Sequence, residues 1–85
     1  MNPVRPGYFY TYVLTSEKTG TFYTGTTNNL KRRLEQHNNG NVYYTKNKLP
    51  MRLVYFEACL NKDDAYRRGG YLKTGMGIRI VTKKG

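Results

Sequence analysis

Residues 8–30 read Tyr8-Phe9-Tyr10-Thr11-Tyr12-Val13-Leu14-Thr15-Ser16-Glu17-Lys18-Thr19-Gly20-Thr21-Phe22-Tyr23-Thr24-Gly25-Thr26-Thr27-Asn28-Asn29-Leu30, and they decide the fold. Tyr8 to Leu14 is dense in aromatic and β-branched residues, Ser16 to Gly20 has turn chemistry, and Thr21 to Thr24 resumes the strand composition, which predicts a β-hairpin. Thr27, Asn28 and Asn29 then offer side-chain oxygens to cap a helix. Leu30 and Leu34 follow at i and i+4, and Asn38-Asn39-Gly40 supplies a stop, so a helix is expected over about 29–38. Beyond a polar loop from Asn41 to Pro50, with room for one helical turn, Arg52 to Cys59 reads as a third strand. Asn61 to Lys73 reads as a second helix, with Asp63 and Asp64 in its first turn where the helix dipole favours carboxylates. Strand, strand, helix, strand, helix predicts an α/β (α+β) domain, a three-stranded sheet flanked by helices. One domain over 1–85 is expected, with a core over about 8–80 and loose ends at Met1–Gly7 and Thr82–Gly85.

The composition narrows the function classes. Fifteen Lys and Arg against five acids leave a net charge of +10 in 85 residues, so the natural partner is a polyanion. Nine Tyr and three Phe supply large rings for a small core, which argues against disorder. A single Cys and a single His exclude an internal disulfide and a four-ligand structural zinc site. No run approaches the roughly 18 apolar residues of a membrane span, and the first twelve residues lack an aliphatic secretory core; a soluble, cytoplasmic protein is expected.

Four residues are candidates for one chemical site. Tyr12 and Tyr23 fall on neighbouring strands of the hairpin, and Arg33 and His37, four apart, share a helix face. Phosphodiester cleavage needs a group to take a proton from water and a cation to stabilise charge on phosphate, usually with a metal held by a carboxylate. Tyr and His suit the first task and Arg the second; sheet packing and a helix-terminal His are the structural alternatives. Lys31, Arg32, Arg33, Lys46, Lys48 and Arg52 form one group of cations against the single acid Glu35, and Arg67, Arg68 and Lys73, with Arg79, Lys83 and Lys84, form another. A face bordered by both groups would bind phosphates by counterion release; a solvated surface that keeps a small protein soluble is the structural alternative. Tyr43, Tyr44 and Tyr66 are interleaved with cations and suit either core cover or stacking on unpaired bases.

The chain resembles the GIY-YIG nuclease superfamily, in particular small members similar to the catalytic module of the bacterial excision-repair incision subunit. The resemblance rests on Tyr10-Thr11-Tyr12-Val13-Leu14, on Phe22-Tyr23-Thr24-Gly25-Thr26-Thr27-Asn28-Asn29-Leu30, and on Arg33 followed by His37-Asn38-Asn39-Gly40. It continues through Leu53-Val54-Tyr55, Ala65-Tyr66-Arg67-Arg68 and Leu72-Lys73-Thr74-Gly75-Met76-Gly77. It implies a small antiparallel sheet flanked by helices, and an endonuclease acting on DNA (branched, nicked or single-stranded), as in DNA repair, with Mg²⁺ or Mn²⁺. By the same resemblance, Tyr12 and Tyr23 help activate water, Arg33 holds the scissile phosphate, and His37 assists. Gly25 matches the glycine that lets the chain turn toward the helix.

Two positions depart from the pattern. Tyr10 and Thr11 stand where the first signature has Gly and Ile or Val. Gly69 stands where similar members carry the metal-binding Glu, in Arg67-Arg68-Gly69-Gly70-Tyr71-Leu72-Lys73. Ala65, Gly69 and Leu72 fall at i, i+4 and i+7, so Gly69 is expected to face inward; it either permits close packing or marks a lost carboxylate. Glu57 is the weak substitute candidate, and like Asp63 and Asp64, about one turn before Gly69, it would have to reach across from a different direction; a surface strand carboxylate paired with a Lys or Arg is the structural alternative for it. The alternative function is a nucleic-acid-binding module of the same fold without catalysis.

Overall fold

The computed structural model describes residues 7–74. The ends expected to be loose lie outside the described residues apart from Gly7, as do Arg79, Lys83 and Lys84. The elements are β1 Phe9–Ser16, β2 Phe22–Thr27, α1 Leu30–Asn38, β3 Met51–Cys59 and α2 Lys62–Leu72. They form one three-stranded antiparallel sheet in the order β2-β1-β3, so the α+β expectation is met.

β1 is the central strand and is buried almost end to end. Its alternation separates two layers. Tyr10, Tyr12 and Leu14 project to one face and pack with Leu30 of α1 and with Met51. Thr11 projects to the other face, where its hydroxyl donates to the Ala65 carbonyl of α2 at 2.8 Å, and Ala65, Gly69 and Leu72 are the buried stripe of that helix. Truncating the fully buried Leu14 or Leu30 to Ala removes roughly 2–5 kcal/mol.

Local chemistry fixes the ends of the elements. The Asn29 side chain accepts from Arg32 N at 3.1 Å and that of Asn61 from Asp64 N at 2.9 Å, each capping its helix. Asn38 then clamps α1 to β3, donating to the Met51 carbonyl at 3.1 Å and accepting from Met51 N at 2.9 Å. The hairpin strands run further than expected. Ser16 still pairs with Met51, and its hydroxyl accepts from Lys18 N and Thr19 N while donating to the Lys48 carbonyl, so the turn begins only after it.

Gly25 corrects a sequence expectation. It is not a turn residue but lies inside β2, directly opposite Tyr12. A Cβ at this position would fall on the Tyr12 hydroxyl and 2.5 Å from Cζ. The position is glycine because the Tyr12 ring lies over its Cα, a cross-strand pairing in which the aromatic covers the backbone that glycine leaves bare. No helix of the described residues is long and apolar enough to cross a membrane.

Candidate active site

The hairpin register brings the two tyrosines together. Tyr23 pairs with Leu14, which shares a face with Tyr12, and the two phenol rings have centroids 6.3 Å apart. The capped start of α1 then sets Arg33 and His37 one turn apart on the helix that covers this face. His37 is fully buried, and its ring centre lies 5.0 Å from that of Tyr23 and 5.8 Å from that of Tyr12. All four sequence candidates, Tyr12, Tyr23, Arg33 and His37, therefore meet in one cluster.

Hydrogen bonds order that cluster. Tyr12 Oη and His37 Nε2 are 2.9 Å apart, and His37 Nδ1 and Thr45 Oγ1 are 2.8 Å apart. Burial, reinforced by the Arg33 charge, pulls His37 down from the ordinary imidazole value to about 4, so the ring is neutral at pH 7. A neutral imidazole carries one N–H, which couples its two bonds. When Nδ1 accepts from Thr45, Nε2 donates to Tyr12; when Nδ1 donates to Thr45, Nε2 accepts the Tyr12 proton. Tyr12, His37 and Thr45 thus form a three-membered, buried hydrogen-bond relay.

Burial also raises the Tyr12 phenol, against an opposing pull from Arg33, so Tyr12 is a neutral phenol at rest. Arg33 is raised by its interactions with the Tyr12 and Tyr23 oxygens, that with Tyr12 the largest, and Nη1 donates to Gln36 Oε1 at 3.0 Å. The result is a fixed, permanently charged guanidinium beside two phenols, one of which can pass a proton inward to His37. This arrangement suits a phosphate group whose nearby nucleophile must lose a proton.

Thr45 is a site residue that sequence reading missed. It sits in the loop between α1 and β3, where Lys46 N donates to the Val42 carbonyl at 3.0 Å and Lys48 N to the Thr45 carbonyl at 2.9 Å, the expected single helical turn. Nothing in its neighbours marks it. The one local signal is a small hydroxyl residue eight positions after the only histidine.

Three clefts that share residues make a continuous groove along edge strand β2. One of about 360 Å³ is lined by Arg32, Arg33, Lys62, Thr26 and Tyr66, among others. The next, about 300 Å³, shares Thr26 and Tyr66 and adds Gly25, Gly69, Gly70, Tyr23 and Lys73. A third of about 360 Å³ shares Tyr23 and Lys73 and adds Phe22, Tyr44, Thr45 and Lys48. Of the predicted binding cations, Arg32, Lys48 and Lys73 line this groove. Lys31, Lys46, Arg67 and Arg68 do not line these clefts. Lys46 lies over the Tyr43 ring, Arg67 pairs with Asp64 at 3.0 Å, and Arg68 pairs with Glu57 at 2.8 Å.

Gly69 faces inward as expected, buried in the middle cleft. A Cβ there would stand 3.2 Å from Thr26 Oγ1, a contact that a small shift of the hydroxyl relieves. A side chain at this position is accommodated only if Thr26 gives way by a few tenths of an ångström. Glu57, the weak substitute candidate, is a strand carboxylate paired with an arginine, the structural alternative expected for it from the sequence. It lies on β3, at the sheet edge opposite β2, and its carboxylate is held by Arg68 and by the Tyr55 hydroxyl at 2.7 Å. The residues lining the three clefts include no carboxylate, and among the described residues no three His, Cys, Asp or Glu are grouped to hold a metal. Because Mg²⁺ and Mn²⁺ take hard oxygen ligands, carboxylates above all, the donor set present does not fit the cation that the resemblance implies.

Known proteins agree with the geometry. The family model of the GIY-YIG catalytic domain matches residues 8–75. The chain is 46% identical over 65 residues to the UPF0213 protein CPE1444 of Clostridium perfringens, covering 75% of this chain and 69% of that protein. It is 45% identical over 65 residues to the UPF0213 protein SAG0778 of Streptococcus agalactiae, covering 75% and 73%. The solution NMR structure of the UPF0213 protein BH0048 from Bacillus halodurans superposes with a TM-score of 0.56 at 29% identity, over 89% of this chain and 83% of that one. A match that spans the whole sheet, both helices and the Tyr12–Tyr23–Arg33–His37 cluster makes this chain a member of the GIY-YIG catalytic domain family.

Proposed function

We propose that the protein binds DNA along the β2 groove with a phosphodiester at Arg33, and that it has the phosphate-engaging half of a nuclease centre without the metal-holding half. The observation that carries this reading is the pairing of a fixed Arg33 beside Tyr12 and Tyr23 with a groove free of carboxylates. Phosphate bound at Arg33 offsets the charge that helps hold His37 unprotonated, so substrate itself makes His37 a better acceptor for the Tyr12 proton. Tyr23, which lines the groove, is the phenol that can face an attacking water, while the fully buried Tyr12 orients the cluster through its bond to His37. Arg33 stabilises charge on the phosphoryl oxygens as the pentacovalent state forms.

Without a carboxylate at position 69, hydrolysis by these groups alone is slow, and binding is the principal activity. The test is a gel-shift series over rising salt, run beside a nicking assay with Mg²⁺ or Mn²⁺. Wild type should bind with affinity that falls steeply with salt, Arg33→Ala should bind more weakly with a shallower salt slope, and nicking should be near background. Rapid nicking by wild type would reject the loss of the metal-holding half; binding that ignores both salt and Arg33 would reject the groove.

A further inference from the structure

We propose that the Tyr44 end of the groove is a pocket for an unpaired nucleotide next to the phosphodiester at Arg33, so the favoured DNA carries a single-stranded arm or displaced base. This inference rests on the DNA-binding reading above.

Residues 43–45 reverse the ordinary order of burial. Thr45, a polar residue, is 1% exposed, whereas Tyr43 and Tyr44 are 75% and 71% exposed. Transfer free energies favour the opposite arrangement. Thr45 is inside because its hydroxyl serves His37. The two rings are held outside and braced: they meet edge to face at 5.5 Å, with Lys46 Nζ 5.0 Å from the Tyr43 ring centre. Tyr44 therefore presents most of its ring to solvent beside the cleft.

The cleft it borders has the chemistry of a nucleotide. Phe22, Tyr23 and Tyr44 supply rings, and Lys48 and Lys73 supply cations with no carboxylate partner among the described residues. Its volume of about 360 Å³ falls within the roughly 300–1,000 Å³ of small-ligand sites. Phe22 is 45% exposed although it is a strand residue. Aromatic rings beside unpaired cations stack on exposed bases while the cations take the adjoining phosphates. The cleft is continuous with the Arg33 groove through Tyr23 and Lys73, so one strand can occupy both. A duplex keeps its bases stacked on one another and leaves the pocket empty.

Fluorescence anisotropy with a blunt DNA duplex and the same duplex bearing a single-stranded arm tests this. Wild type should prefer the armed duplex. Tyr44→Ala should weaken that complex roughly tenfold and leave the blunt one nearly unchanged, Phe22→Ala should act in the same direction, and Tyr44→Phe should retain the preference. Equal binding of the two duplexes by wild type, or equal loss on both with Tyr44→Ala, overturns the pocket and leaves the groove standing. Failure of wild type to bind either duplex overturns the DNA-binding reading and the pocket with it.

Discussion

The buried imidazole of His37 makes stability depend on pH below neutrality. Its folded value of about 4 lies well below the ordinary value near 6.5, so between the two the unfolded chain binds the proton that the folded chain refuses. The contribution is fully present above pH 6.5 and is lost as pH falls through about 4. At about 1.4 kcal/mol per pH unit the full gap is worth roughly 3 kcal/mol, and lowering the pH from 7 to 5 removes roughly 2 kcal/mol of it. The chain has one histidine, so its removal isolates this contribution. Urea unfolding at pH 7 and pH 5 measures it directly, with His37→Gln as the control that should be less stable overall and flat between the two pH values. The single histidine also gives an unambiguous NMR titration. Arg33→Gln should raise its midpoint, yet leave it below 6.5, because burial is the larger cause. A wild-type midpoint near 6.5, or the same pH loss in His37→Gln, would refute the buried relay.

Two glycines give opposite expectations. Gly25→Ala drives a methyl group into the Tyr12 ring and should destabilise the fold by roughly 1–3 kcal/mol or more, read as a fall in Tm; no change would mean that the ring does not lie over the strand. Gly70 is exposed in mid-helix with nothing within 4 Å of a Cβ, so Gly70→Ala should stabilise α2 by roughly 0.5–1 kcal/mol. A lower Tm in Gly70→Ala would show a contact that the structure does not contain.

The sheet and helices were legible because this chain writes them locally. Tyr8 to Leu14 could not be an amphipathic helix, and Asn29 and Asn61 cap their helices as their positions imply. Strand pairing brings Tyr12 to Tyr23 and helix periodicity brings Arg33 to His37, but that the two pairs meet was legible only through the family resemblance, because local chemistry does not dock the helix on the hairpin. What was not legible depends on contacts between distant parts of the chain. Gly25 looks like a turn glycine until the Tyr12 ring is seen above it. Thr45 has no local mark because its role comes from His37 across a loop closure. Glu57 reads as a strand carboxylate paired with a cation, but which cation was not legible, because Arg68 lies eleven residues on in another element. Tyr10 and Tyr44 are the same residue type in similar company, but one builds the core and the other faces solvent.

The most direct measurement is nicking of supercoiled DNA in Mn²⁺ by Gly69→Glu, beside wild type, Gly69→Ala and the Gly69→Glu/Arg33→Ala double variant. Position 69 and Tyr23 line the same cleft, so a Glu at 69 would supply there the carboxylate that the groove lacks. Metal-assisted charge stabilisation is worth several kcal/mol, so Gly69→Glu should nick roughly a hundredfold faster than wild type or more. Gly69→Ala and the double variant should remain near background. Unchanged nicking by a folded Gly69→Glu protein, or an increase that survives loss of Arg33, would contradict the account.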